Sequence, residues 1–182
     1  AWHEALPPRA ASELRDDATA LMAAVGAETF WVDAALPLSG ARCALERMAM
    51  EVLRFHAAAG SPRPVTGCEW WVQVRRSDGA VPGVGLHWDS DEAHAEASGE
   101  HIPPWLGTVT YVGGRGAPTV LLPVAADEHQ RGLPAGASGA AVGGLYLSRP
   151  VAGKHLAFDG RLLHGALHDL ACDDEADETD ET

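Results

Sequence analysis

The spacing of apolar residues changes character once along the chain, near residue 65. Before that point they recur at steps of three and four, the pattern of a helix with one buried face. The stretch Ser12–Ala27 predicts a first helix, with Ser12 as N-cap, acidic residues in its first two turns and Gly26 near its end. A second helix is predicted after Ser39, its apolar face formed by Leu45, Met48, Val52 and Phe55, and the GSPRP run from Gly60 to Pro64 stops it. His56 falls near the end of that helix, where a partly positive ring suits the dipole. Alanine is abundant in both segments, which points to close packing against a sheet.

After Val65 the apolar residues gather in short β-prone runs separated by glycine and proline. Cys68–Arg75, Gly107–Val112, Pro118–Val124, Gly144–Leu147, Lys154–Phe158 and Arg161–Leu167 are the predicted strands. No helical pattern is read between them, so the expectation is an antiparallel sandwich or barrel. The glycine- and alanine-rich stretch from Ala125 to Gly143 reads as a surface excursion. Residues 1–172 are expected to form one domain, helical over about 12–60 and β over 65–172, with 173–182 as a disordered acidic tail.

Charge and composition narrow the function. The net charge of −13 is concentrated at the end: seven acids lie in the last ten residues, leaving about −6 for the rest. Lys154 is the only lysine and no basic patch occurs, so nucleic acid is not an expected partner. No apolar run of about 18 residues and no basic-then-apolar leader is present, so no membrane partner is expected either. Cys43, Cys68 and Cys172 are scattered and odd in number, which suits neither a disulfide framework nor a zinc knuckle and favours an intracellular setting.

The candidate chemistry sits in GLHWDSDE, residues 85–92. In extended backbone His87 and Asp89 project to the same face while Trp88 faces away, so an imidazole and a carboxylate converge. A two-histidine, one-carboxylate metal site needs a third ligand from a distant strand. His164, mid-strand in RLLHGAL, is the best candidate, and Gly165 beside it is expected to leave room for metal or substrate. His168 competes for that role, and Asp91 competes with Asp89. His94, His101 and His129 lie in polar stretches and read as solvated.

Three blocks then combine: GLHWDSDE, LGTVTYVGGRGAPTVLL, and SRPVAGKHLAFDGRLLHGAL. In order and spacing they resemble the iron(II)- and 2-oxoglutarate-dependent dioxygenases, in particular the prolyl-hydroxylase-like branch, over about residues 68–168. The resemblance implies a double-stranded β-helix (a jelly-roll or cupin-like barrel) with helices packed on one sheet. It implies hydroxylation of a substrate C–H, with Fe(II) as cofactor and 2-oxoglutarate as cosubstrate. His87, Asp89 and His164 match the iron ligands. Tyr111 matches a residue that in some members hydrogen-bonds the 2-oxoglutarate carboxylate, and Phe158 matches a buried position of the strand before the distal histidine.

One departure matters. The family carries an Arg or Lys about ten residues after the distal histidine, paired with the far carboxylate of 2-oxoglutarate. Here that stretch is Cys172-Asp173-Asp174-Glu175. A chain that begins at Ala1 and lacks this strand reads as a piece of a longer protein, one strand short. Arg75, Arg149, Arg161 and Lys154 match turn or strand-end positions, and none is expected deep in the pocket. The departure leaves two other readings open. One is a non-catalytic β-helix module binding a partner through Trp70, Trp71 and the HIPPW run from His101 to Trp105. The other is a cupin-like metal enzyme that does not use 2-oxoglutarate. The substrate, protein side chain or small molecule, is not specified.

Overall fold

Two consecutive prolines start the first helix. Their fixed φ is already helical, and the missing N–H of the second falls where the helix has no acceptor for it. In the computed structural model, which describes residues 1–74, 83–126 and 143–171, α1 therefore spans Pro8–Val25, with Pro7 in the N-cap position. This corrects the expected cap at Ser12, which lies inside α1 and accepts a hydrogen bond from Arg15 Nη2 at 3.3 Å. Gly26 does end the helix, at φ +70° with its N–H on the Met22 carbonyl.

The second helix, α2, spans Ala44–Gly60 and is capped by the Cys43 sulfur, which accepts from the Glu46 N–H. Its buried face differs from the expected one. Leu45 and Met50 are buried, but so are Glu46 and His56, while Phe55 is more than half exposed. Glu46 tolerates burial because Arg42 answers it, with Nε at 2.6 Å and the backbone N–H at 2.9 Å. The pair holds the Glu46 carboxyl below the usual range, chiefly through that hydrogen bond. Leu14 and Ala18 of α1 pack on Leu45, and Trp70, Val72 and Val112 close the cluster from the β side.

The strands are antiparallel throughout. A two-stranded ribbon pairs β1 (Phe30–Asp33) with β2 (Gly67–Trp70); β1 was not expected, and β2 is shorter than the predicted run from Cys68. A four-stranded sheet contains β3 (Val84–His87), β5 (Thr119–Ala125), β6 (Tyr146–Ser148) and β8 (Leu162–Ala166), in the order β3-β8-β5-β6. A second ribbon pairs β4 (Leu106–Thr110) with β7 (His155–Asp159). A short helix, α3 (Glu92–Ser98), lies where polar loop was expected. The architecture is thus mixed helix and antiparallel sheet, with no closed barrel among the described residues. Arg75, His129, Cys172, the tail 173–182 and most of the excursion 125–143 lie outside the described residues.

Between the four-stranded sheet and the β4–β7 ribbon sits one core of Tyr111, Leu121, Leu156 and Phe158, joined by Val109 and Leu162. Gly107 is opposite Phe158 in the ladder. A Cβ there would sit 2.5 Å from the Phe158 ring, so glycine is what lets that ring fold across its partner strand. No helix among the described residues is long and apolar enough to cross a membrane.

Candidate metal centre

β3 ends on His87, and β8 runs antiparallel beside it with His164 directly opposite. Directly opposed residues share a face, so the two imidazoles meet with ring centroids 4.5 Å apart. Two residues past His87 the chain returns Asp89 to the same point, its Oδ1 3.4 Å from His87 Nε2 and its Oδ2 3.4 Å from His164 Nε2. One ligand atom from each of the three residues lies within 4.8 Å of the other two. Trp88 turns away, its indole N–H donating to the Val124 carbonyl at 3.1 Å.

The other nitrogen of each ring is tied to the backbone. His87 Nδ1 is 2.8 Å from the Gly85 carbonyl, and His164 Nδ1 is 2.8 Å from the Leu162 carbonyl. A carbonyl can only accept, so both Nδ1 atoms carry the proton and both neutral rings present an Nε2 lone pair toward Asp89. Two lone pairs and a carboxylate facing one another repel unless positive charge lies between them. This outer arrangement is the one that fixes tautomer and orientation in metal-ligating histidines.

The electrostatics agree. Burial opposes the Asp89 charge, but the hydrogen bonds and charge that His164 and His87 supply when protonated outweigh it and hold the carboxyl well below its usual range. His87 is raised, chiefly because its protonated ring would donate a hydrogen bond to Asp89, and against the effect of burial. The cluster draws a proton, and it would draw a metal cation for the same reason. His164 is the most enclosed of the three, its side chain 9% exposed against 23% for Asp89 and 38% for His87. Phe158 flanks it with ring centroids 5.0 Å apart.

The competing residues go elsewhere. Asp91 caps α3, accepting from the His94 N–H at 2.9 Å. His168 lies in a single 3-10 turn after β8 and is not part of the cluster. His94 sits in α3 with its Nε2 3.5 Å from Glu100. Gly165 has a different role from the one expected. A Cβ there would lie 2.8 Å from the Gly85 carbonyl oxygen, so the glycine admits the neighbouring strand β3, not metal or substrate.

Tyr111 follows β4 directly and is buried, its hydroxyl 2.8 Å from the Ser148 carbonyl and 2.6 Å from Thr119 Oγ1. Having one proton, it donates to the carbonyl and accepts from the threonine. Two features went unread in the sequence. Lys154, expected at a strand end and not deep in the pocket, is only 5% exposed, and its ammonium lies 4.7 Å from the centre of the Tyr111 ring. His56, expected to be positive at a helix end, is buried against His155, with the two Nε2 atoms 2.9 Å apart. Burial lowers its pKa. Arg161 is exposed and paired with Asp159. No family model, curated protein or solved structure matches the chain.

Proposed function

We propose that this chain is an iron(II)- and 2-oxoglutarate-dependent oxygenase built on a double-stranded β-helix, hydroxylating a substrate C–H. The observation that carries the reading is the pair of backbone-tethered imidazoles that turn their free Nε2 atoms toward one carboxylate. Two neutral nitrogens and one oxygen form a borderline donor set that suits Fe(II) with open positions for further ligands. The winding supports the fold. Successive strands β3, β4, β5, then β6, β7, β8 pass between the four-stranded sheet and the β4–β7 ribbon, as a jelly roll requires.

When bound, iron with 2-oxoglutarate and O2 would supply the oxidising chemistry. The chain's part is to hold and shield it. His87 and His164 contribute nitrogens whose direction is set by the Gly85 and Leu162 carbonyls. Asp89 contributes the negative charge that partly neutralises a divalent ion. Phe158 and Leu121 line the inner side of His164 with apolar surface, which keeps bulk water from the reacting centre.

Anaerobic titration with Fe(II), with and without 2-oxoglutarate, tests the proposal. The expected result is a weak visible charge-transfer band that needs both components and is lost in His164→Ala. Iron binding with no such band would favour a metal enzyme that does not use 2-oxoglutarate. Absence of iron binding would sink the oxygenase reading and favour a binding module.

A further inference from the structure

The first residues of the chain lie along the outer edge of β7. The Trp2 N–H donates to the His155 carbonyl at 2.7 Å, and the His155 N–H donates to the Trp2 carbonyl at 2.9 Å. Both backbone groups of His155 are thus spent on Trp2, so its pairing with Thr110 of β4 is of the non-hydrogen-bonded kind and Trp2 holds the opposite edge. Leu6 anchors the segment, packing on the cluster of Leu14 and Leu45 with its N–H on the Gly153 carbonyl at 3.2 Å. Residues 1–5 before it are exposed, and Glu4 sits at φ +59°, a left-handed conformation that a side chain makes costly.

The two faces of this segment meet different things. On one, the Trp2 ring lies 5.4 to 5.6 Å from the rings of Phe55, His56 and His155. On the other, Ala1 and His3 help to wall a cavity of about 390 Å³ that Tyr146, Lys154 and Leu156 also line. Beneath Trp2 the histidine pair is 7% and 5% exposed, with Nε2 facing Nε2 at 2.9 Å. Two protonated rings would aim N–H groups at each other across that gap and would have to part. The groups around them offer a positive charge no answer. Phe55 of α2, Thr110 of β4 and Trp2 are uncharged, the α-amino group of Ala1 repels, and no carboxylate acts on either ring. A charged pair therefore needs water, and the cover that lies outside any helix or ladder is Trp2.

We propose that residues 1–5 are an acid-released strap: when the His56–His155 pair takes up protons, the strap swings out on Leu6, bares the outer edge of β7 and removes one wall of the cavity. The docked strap keeps His155 at about 4, and release returns it to near the ordinary 6.5. Docking is therefore strongest above the higher value and weakens as pH falls toward the lower one.

The test follows amide hydrogen exchange of the 182-residue chain as pH is lowered, each rate divided by that of a free peptide. The Trp2 and His155 amides should lose protection about 30-fold between about pH 7.5 and about pH 5, the change that one histidine with those two values supplies. The midpoint should coincide with the His155 ring titration followed by NMR. The Gly153 and Tyr111 amides, which bond on the β4 side of β7, should keep their protection. Hydroxyl-radical oxidation of Leu156 should rise over the same range. His155→Gln keeps a polar amide that does not titrate and should remove most of the change, whereas His3→Gln, on the strap itself, should leave it intact. If His155→Gln fails to fold, the two wild-type midpoints decide, and their separation overturns the strap. Equal loss of protection on both edges of β7 would mean plain unfolding of the ribbon and overturns it too. So do amides unmoved by acid, a response that survives His155→Gln, or one that vanishes in His3→Gln. Release without added oxidation of Leu156 overturns the part of the proposal that concerns the cavity wall.

Discussion

Among the described residues two pairs of histidines meet ring to ring, and they are opposites. His87 and His164 are bridged by Asp89. His56 and His155 meet directly, Nε2 to Nε2 at 2.9 Å, with the Thr110 hydroxyl 2.8 Å from His155 Nδ1 and the Trp2 indole across both rings. In the first pair the carboxylate makes positive charge welcome, and the pKa of His87 is raised. In the second, burial comes first and the charge of His56 adds to it, pushing His155 down to about 4. Between two neutral rings at that distance one nitrogen must donate and the other accept, so the pair works as an uncharged hydrogen bond. One carboxylate separates a cluster that could hold a cation from a structural contact. Counting histidines would not distinguish them.

The largest expected effect comes from removing a donor of the first pair. His164→Ala leaves two of three ligands, and metal affinity should fall by more than the roughly 10–100-fold that loss of a mere outer-shell partner causes. His56→Ala should leave metal affinity where it was. Calorimetric titration with Co(II) on both variants makes the comparison, and equal losses would break it. The wild-type affinity should also depend on pH. Because His87 is raised, its protonation competes with metal at a higher pH than an ordinary histidine would, so affinity declines as pH falls through that raised value.

The second pair should speak through stability. A histidine with a depressed pKa is neutral in the folded state while the unfolded chain already takes up a proton. Its contribution is complete above the ordinary value near 6.5 and is lost as pH drops from there to about 4. The loss is on the order of 3 kcal/mol for His155. Urea denaturation at a series of pH values should show this slope, and His155→Leu should flatten it. A slope unchanged in that variant would mean that other groups govern the acid side.

Gly165→Ala sits next in size and couples the fold to the first pair only. Its Cβ would meet backbone oxygens of Gly85 and Val84 within 3 Å. Backbone cannot rotate aside as a side chain does, so β3 must shift, at a cost of about 1–3 kcal/mol. His87 rides on β3, so metal affinity should drop while the low-pH slope from His155 persists. A metal affinity equal to wild type would show that the glycine is not what sets the β3–β8 spacing.

How much of this could be read in advance depended on whether a feature was local. The alternation His87-Trp88-Asp89 and the glycine-punctuated runs around β4, β5, β7 and β8 follow from a two-residue period, and they stand where that period puts them. The α3 signals were equally local, Asp91 as cap and Gly99 in the left-handed region at φ +77°, but a polar seven-residue helix shows no apolar stripe to announce it. Lys154 was legible in principle. Phe158 matches a buried position in the resemblance, and a two-residue step back along that strand face reaches Leu156 and then Lys154, whereas the match to a strand end points away from burial. Burial of His56 was not legible, because it depends on His155, 99 residues away. The same holds for β1, whose partner β2 lies beyond an entire helix.

The smallest effect tests what lowers His155. Trp2 forms an isolated bridge with it, exchanging two backbone hydrogen bonds of 2.7 and 2.9 Å, while its ring lies 5.6 Å from the His155 ring and 5.4 Å from the His56 ring. The indole is itself 44% exposed, so it acts as a cover and not as core. Trp2→Ala keeps both backbone bonds and removes the cover. Water would then reach the histidine pair, the desolvation that disfavours its charged form would weaken, and the His155 pKa should move up toward 6.5. The variant should lose about 1 kcal/mol at neutral pH from the exposed contact, and its stability should decline less steeply between pH 6.5 and 4 than that of the wild type. Histidine ring NMR can follow the titration directly. A His155 pKa that stays near 4 without Trp2 would assign the depression to the neighbouring His56, and His56→Leu would then be the variant that releases it.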